Sequence, residues 1–256
     1  MPAPRRSWLV TALRAIVGTI AAGFACLAYT WIMLPDVRSL RTRAPERTAF
    51  MRIREDEARA EGKPPHTVQK WVNYRQISPT LKRAVLVTED AAFFSHDGVD
   101  YEELKASIEA SWTQGKDLRG ASTITQQLAK NLYLSPSRNP YRKVTEWLIT
   151  RRLEAELSKA RILELYLNLV EWGDGIWGAE AAARSYFNTS AGELTPNQAA
   201  LLAGSLINPR IYSPAAPNGR LLRRQQIILG RMGYVTPPDQ SSANANSPRE
   251  VVASRE

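Results

Sequence analysis

One cysteine and two histidines among 256 residues remove much of the usual site chemistry at the outset. Cys26 has no partner for an internal disulfide, and with only His66 and His96 beside it no Cys/His zinc site can be assembled, so any metal would be held by carboxylates. Alternating stretches of strand type are nearly absent, no internal repeat occurs, and there is no glycine-rich phosphate loop. Acid is scarce relative to base, 25 Asp and Glu against 34 Lys and Arg, and the formal charge of +9 favours an anionic partner. Nucleic acid, acidic lipid headgroups and a phosphorylated substrate all fit that charge. With 44% hydrophobic residues, the chain can build one good-sized domain with a real core, plus appendages.

Residues 15–34 contain no charged side chain and are long enough, as a helix, to cross the hydrocarbon core of a bilayer. Arg5, Arg6 and Arg14 resemble the basic region of a signal peptide, but the apolar run ends in Tyr29, Trp31 and Pro35 rather than a small-residue cleavage site, which favours an uncleaved anchor. Orientation stays open on charge alone, because Arg38, Arg41, Arg43 and Arg47 balance the N-terminal arginines. A membrane anchor makes nucleic acid the least fitting of the anionic partners. Residues 35–66 read as a juxtamembrane connector with a short helix near 48–60, residues 67–235 as the domain, and residues 236–256 as a disordered tail of Ser, Asn, Ala and charge.

Within the domain the punctuation marks a series of helices. Ser78-Pro79 supplies an N-cap and an N1 proline for a helix ending at Glu89 and Asp90; Asp100 with Glu103 caps the next, which stops near Gly115. A charged loop over 115–120 leads to a helix over 123–132, a breaker with Pro136, Asn139 and Pro140, and a long helix over 141–158. In that long helix Val144, Leu148 and Ala155 are expected on the apolar face, with Glu146, Arg151 and Glu154 elsewhere. Further helices are expected over 162–170, 179–187, 196–206 and 221–232. The fold class is mainly α.

Two stretches carry the chemistry. In the first, Glu89 and Asp90 are followed by Phe93, Phe94, His96 and Gly98. Carboxylates at a helix C-terminus oppose the helix dipole, so their placement hints at function. A lone Glu89 would read as a solvated helix end, but with Asp90 adjacent and phenylalanines as apolar walls, desolvation and like charge would raise its proton affinity, as a general acid or base needs. The second stretch, 120–131, packs Ser122, Gln126, Gln127, Lys130 and Asn131 where an ordinary helix would mix charge with apolar residues. Lys130, Arg138, Arg142 and Lys143 bracket the proline-broken segment after it; they suit a diphosphate or a solvated basic loop equally well.

Glu89-Asp90 through Phe93, His96 and Gly98, the 120–131 run, Arg142-Lys143-Val144-Thr145-Glu146, and the run 162–168 with Gly173 and Gly178 resemble, in order, the motifs of the peptidoglycan glycosyltransferases. The likeness covers about 77–214. It implies a lysozyme-like fold with a large lobe and a smaller, membrane-touching jaw behind one N-terminal transmembrane helix. It further implies polymerisation of lipid II into glycan strands, with residues 1–14 cytoplasmic and the domain on the periplasmic side of the inner membrane. The sequence ends without room for a transpeptidase domain, so the resemblance is to the monofunctional members. By the same resemblance Glu89 is the base and Glu146 the second catalytic carboxylate, while Asp90, Phe93, Ser122, Gln126, Gln127, Lys130, Asn131, Arg138 and Lys143 contact substrate. No cofactor is obligatory; a divalent cation, Mg or Mn, near Glu89, Asp90 or Glu146 would accompany the diphosphate. His96 is expected to cap the turn after Glu89. Partners implied are lipid II, the growing strand, the cytoplasmic membrane and cell-wall synthesis or division proteins. One departure stands out: Gln198 occupies a place where the family often has glutamate. A lysozyme-like lytic enzyme and a non-catalytic membrane-tethered scaffold are the competing readings.

Overall fold

The computed structural model describes residues 5–114, 122–137 and 139–238. It has two units, residues 1–36 and 37–256. The first is helix α1 (Arg5–Ile32), whose stretch Val10–Ile32 is long and apolar enough to cross a membrane. The helix begins upstream of the charge-free run, because helical hydrogen bonding continues through residues that hydrophobicity alone would exclude.

The second unit is mainly helical, as the punctuation predicts. Helix α2 (Ala49–Ala60) starts at Thr48, whose side chain accepts from the Met51 amide, and α3 (Pro79–Glu89) starts at Ser78 in the same way, with proline in its first turn. Helices α4 (Tyr101–Gln114) and α5 (Ile124–Tyr133) follow, the latter capped reciprocally by Thr123 and Gln126. Then come α6 (Pro140–Glu156), α7 (Lys159–Leu169), α8 (Ala179–Phe187), α9 (Pro196–Ser205) and α10 (Gly219–Arg231). Three short strands, β1 (Val68–Gln69), β2 (Glu171–Gly173) and β3 (Ile176–Trp177), form a sheet in the order β1-β3-β2. β1 runs parallel to β3, pairing Val68 with Ile176, while β2 and β3 are antiparallel.

The core is centred on α7. Ile162, Leu163, Leu165, Tyr166, Leu167 and Leu169 are all fully buried, so this helix is enclosed rather than amphipathic. Its buried polar groups have defined partners: Asn168 bonds both the amide and the carbonyl of Val72 at 2.9 Å, and Glu164 accepts from the Tyr74 amide at 3.0 Å. Helix α5 packs on α6 and α7, and α3 packs on α9 and α10.

The helical-wheel expectation for α6 is corrected. Glu146 and Glu154 are buried, whereas Val144 and Ala155 are exposed. The inward acids persist because each has partners: Thr125 and Lys159 bond Glu154 at 2.6 and 2.8 Å, while Glu146 is held by two cations. The loop over 115–120 and most of the C-terminal tail lie outside the described residues. At the tail's start, the Tyr74 hydroxyl donates to the Pro238 carbonyl at 3.1 Å.

Candidate active site

Glu89 is the last residue of α3 and opens on a cleft of about 310 Å³, lined also by Asp90, Ala91, Ala92, Asp100, Glu103, Ser122, Thr123 and Arg231. The turn that fixes it is built from polar contacts. Asp90 accepts from the Ile124 amide, the first residue of α5, at 2.9 Å, and its other oxygen meets His96 Nε2 at 2.9 Å. The Gly98 amide donates to His96 Nδ1 at 3.1 Å, so the neutral ring carries its proton on Nε2 and donates to Asp90. His96 therefore closes the turn, as expected. Thr123 Oγ1 donates to the Gly98 carbonyl at 2.7 Å, tying the turn to the α5 cap. Gly98 itself has φ of 88°, and a Cβ there would stand 2.7 Å from Thr150 Cγ2 of α6.

These contacts change three assignments. Asp90 and Phe93 are expected to touch substrate, but both oxygens of Asp90 are engaged by protein groups and Phe93 is 0% exposed, beneath the Lys159 ammonium at 4.5 Å. Asp90 opposes the dipole of α3 yet complements the N-terminus of α5, which resolves the apparent cost of two acids at one helix end. The side-chain oxygen of Gln126 likewise accepts from the Thr123 amide at 3.1 Å, a capping contact.

Glu89 has an uncharged partner. Gln127 Nε2 donates to Glu89 Oε2 at 2.9 Å, and the buried Tyr166 hydroxyl donates to Gln127 Oε1 at 3.0 Å. Burial raises the proton affinity of Glu89 above that of an ordinary glutamate; the Gln127 bond and the Arg224 charge oppose the rise, Asp90 adds to it, and Lys130 opposes it. The direction is the one the adjacent acid and apolar walls predict.

Lys130, one turn further along α5, senses both carboxylates. Burial lowers its proton affinity, Glu146 raises it, Arg142 and Lys143 lower it, and Glu89 raises it. Glu146 is only 4% exposed at its side chain, and is bonded by Arg142 Nη1 at 2.7 Å and Lys143 Nζ at 2.5 Å. Arg142 and Lys143 thus bond Glu146 directly while Lys130 senses its charge, so the cluster carries more positive than negative charge. Asn131 is buried on α5, and Ser122 is exposed at the cleft rim. Arg138 lies outside the described residues.

A carboxylate-held divalent ion does not fit these three acids as they stand. Asp90 and Glu146 have both oxygens bonded to protein donors, which leaves Glu89 alone. The ligand atoms of Asp90, His96 and Asp100 do come within 4.8 Å of one another, but Asp90 and His96 bond each other, and Asp100 caps α4 through the Glu103 amide at 2.9 Å.

The expected site set omits Arg142, Tyr166, Arg224 and Arg231. Arg142 is visible in the basic cluster, and α10 advertises itself by four arginines and no acid in its thirteen residues. Tyr166 lies within the 162–168 run, but nothing local marks its hydroxyl for the site, because its partner Gln127 is 39 positions away. A separate groove of about 250 Å³ between α9 and α10 is lined by Ile207, Tyr212, Leu221 and Ile227 with arginines, and offers no carboxylate.

The sequence profile of the Transglycosylase family matches residues 57–233. The chain belongs to that family and is a transglycosylase. Among its relatives, the biosynthetic peptidoglycan transglycosylase of Chromobacterium violaceum is 43% identical over 228 residues, 87% of this chain and 97% of that one. Those of Dechloromonas aromatica and Methylobacillus flagellatus are 49% and 46% identical, covering 73% and 76% of this chain and 81% and 85% of their own. The expectation of family, mainly helical fold and enzyme class is met. Gln198, the departure from the family pattern, accepts from the Thr195 amide at 2.9 Å in the N-terminal cap of α9, a contact that glutamate makes equally well.

Proposed function

We propose that this transglycosylase polymerises lipid II into peptidoglycan strands as a monofunctional enzyme, with α1 anchored in the cytoplasmic membrane, its N-terminus inside and the domain outside. The supporting observation is the pairing of a half-buried carboxylate of raised proton affinity, Glu89, with a cation-rich cluster reached through the shared neighbour Lys130. Exposed Tyr101, Ile108 and Trp112 on α4, with Tyr141, Val144 and Trp147 on α6, are suited to meet the lipid surface.

The reaction joins a donor α-linked through its C1 to a lipid diphosphate and an acceptor sugar bearing a free 4-hydroxyl. Glu89 takes the hydroxyl proton as the oxygen attacks C1, the C1–O bond to the diphosphate breaks, and undecaprenyl diphosphate leaves with both electrons. A single displacement inverts the α linkage to β. A positioned base contributes roughly 10² to 10⁴ in rate. Lys130, Arg142 and Lys143 take up the charge of the leaving diphosphate, while Glu146 holds Arg142 and Lys143 in place. Arg138 joins this set by resemblance. No step requires a metal.

Incubation of the full chain in detergent with labelled lipid II, and separately with preformed glycan strands, tests the reading. Long products that lysozyme digests to disaccharide units are expected; shortened glycan from preformed strands would instead support the lytic alternative, and no turnover the scaffold.

A further inference from the structure

We propose that Tyr166 is a positioning residue for Glu89, acting through Gln127 by fixing which end of the Gln127 amide faces the carboxylate. This rests on the reading of Glu89 as the base.

The two ends of an amide have nearly the same shape, so its orientation is set by its partners. Gln127 is held on three sides: its nitrogen donates to Glu89 at 2.9 Å and to the Ser122 carbonyl at 3.4 Å, and its oxygen accepts from Tyr166 at 3.0 Å. Tyr166 is fully buried in α7, and Gln127 is its only hydrogen-bond partner among the described residues. Turning the amide over would leave the phenol proton without an acceptor inside the core, and would set the Gln127 oxygen against the Glu89 carboxylate. The phenol is a dependable donor, because burial and then the charges of Glu89 and Asp90 push its own ionisation far above the ordinary range.

The consequence is a defined protonation behaviour. A fixed N–H donor favours ionised Glu89, the form that can accept a proton from the sugar hydroxyl. The charged groups facing Glu89 are Asp90 at the end of its own helix, Lys130 on α5 and Arg224 on α10, with Asp100, Glu103 and Arg231 lining the same cleft, and Tyr166 hydrogen-bonds none of them. Without the phenol hydroxyl, the amide samples the reversed orientation, which tolerates only protonated Glu89. The acid limb of the rate profile then moves to higher pH while the alkaline plateau is kept.

The experiment measures kcat/KM against pH for labelled lipid II polymerisation by the full chain. Glu89→Gln is assayed first, since retained turnover there would remove the base reading itself. With that variant inactive, Tyr166→Phe is expected to shift the acid limb upward by up to about one pH unit, the scale of one hydrogen bond. Gln127→Ala should shift it similarly, and the double variant no further than Gln127→Ala alone, since the tyrosine acts only through the amide. A Tyr166→Phe profile lowered equally at every pH, or shifts that add in the double variant, would overturn the proposal. If Tyr166→Phe fails to fold, an unmoved limb in Gln127→Ala does the same.

Discussion

Glu89 and Glu146 are both inward-facing glutamates near Lys130, yet their surroundings are opposite. Glu89 meets a neutral amide and opens on a cleft, whereas Glu146 is closed off between Arg142 and Lys143. A carboxylate whose nearest partner is uncharged keeps an appetite for protons; one flanked by two cations has its charge matched and becomes a fixed counter-ion. One acid is thereby suited to move a proton, the other to arrange positive charge.

Replacing each glutamate by its amide should separate these roles most sharply. Glu89→Gln is expected to lower polymerisation by roughly 10² or more, as for loss of a general base, while thermal stability holds or rises. The sign follows from linkage: the folded state binds the Glu89 proton more tightly than the unfolded chain does, so ionised Glu89 opposes folding once pH rises through the raised value. The stability gain of Glu89→Gln should therefore appear at neutral pH and fade as pH falls toward about 4, the ordinary glutamate range. A variant that melts well below the parent at pH 7 would show that Glu89 is structural.

Lys130→Ala comes next, removing the cation that senses both acids. Polymerisation should drop about tenfold or more, the scale of a charge-assisted hydrogen bond to phosphate. Turnover at the parent rate would detach the basic cluster from diphosphate binding. For Glu146→Gln, the melting temperature should fall by the equivalent of about 1 to 3 kcal/mol, because Arg142 is left beside a neutral group in a largely buried setting. Equal stability of the two amide variants would erase the contrast between the glutamates. Lys143→Ala should have the smallest effect on stability, within about 1 kcal/mol, since its side chain is 53% exposed and its ion pair is screened by solvent. A larger loss would mean that Lys143, rather than Arg142, anchors Glu146.

Much of this arrangement is legible in the sequence wherever the signal is local. Ser78-Pro79 and Asp100 with Glu103 mark helix starts that form as expected, because capping depends on residues within one turn. The raised proton affinity of Glu89 is legible in part from the adjacent Asp90, although its largest cause is burial by the packed fold. Asp90, Phe93 and the inner face of α6 were beyond such reading. Whether Asp90 points to substrate or to the N-terminus of α5 depends on a helix 34 positions away, and Glu146 is buried on a helix that packs against α5, with Arg142 and Lys143 as its partners.

The sequence by itself determined the long apolar N-terminal helix, the order of the helices, the family and the candidacy of Glu89 as a reactive acid, since these rest on hydrophobic length, local hydrogen bonding and contiguous motifs. Only the tertiary structure decided that Gln127 bridges Glu89 and Tyr166, across 38 and 39 positions of sequence. It also brought Arg224 and Arg231 on the last helix to the site on the first domain helices. Hydrogen bonds and Coulomb forces act over ångströms of space, and packing of α5 against α7 and of α3 against α10 is what converts distant positions into neighbours.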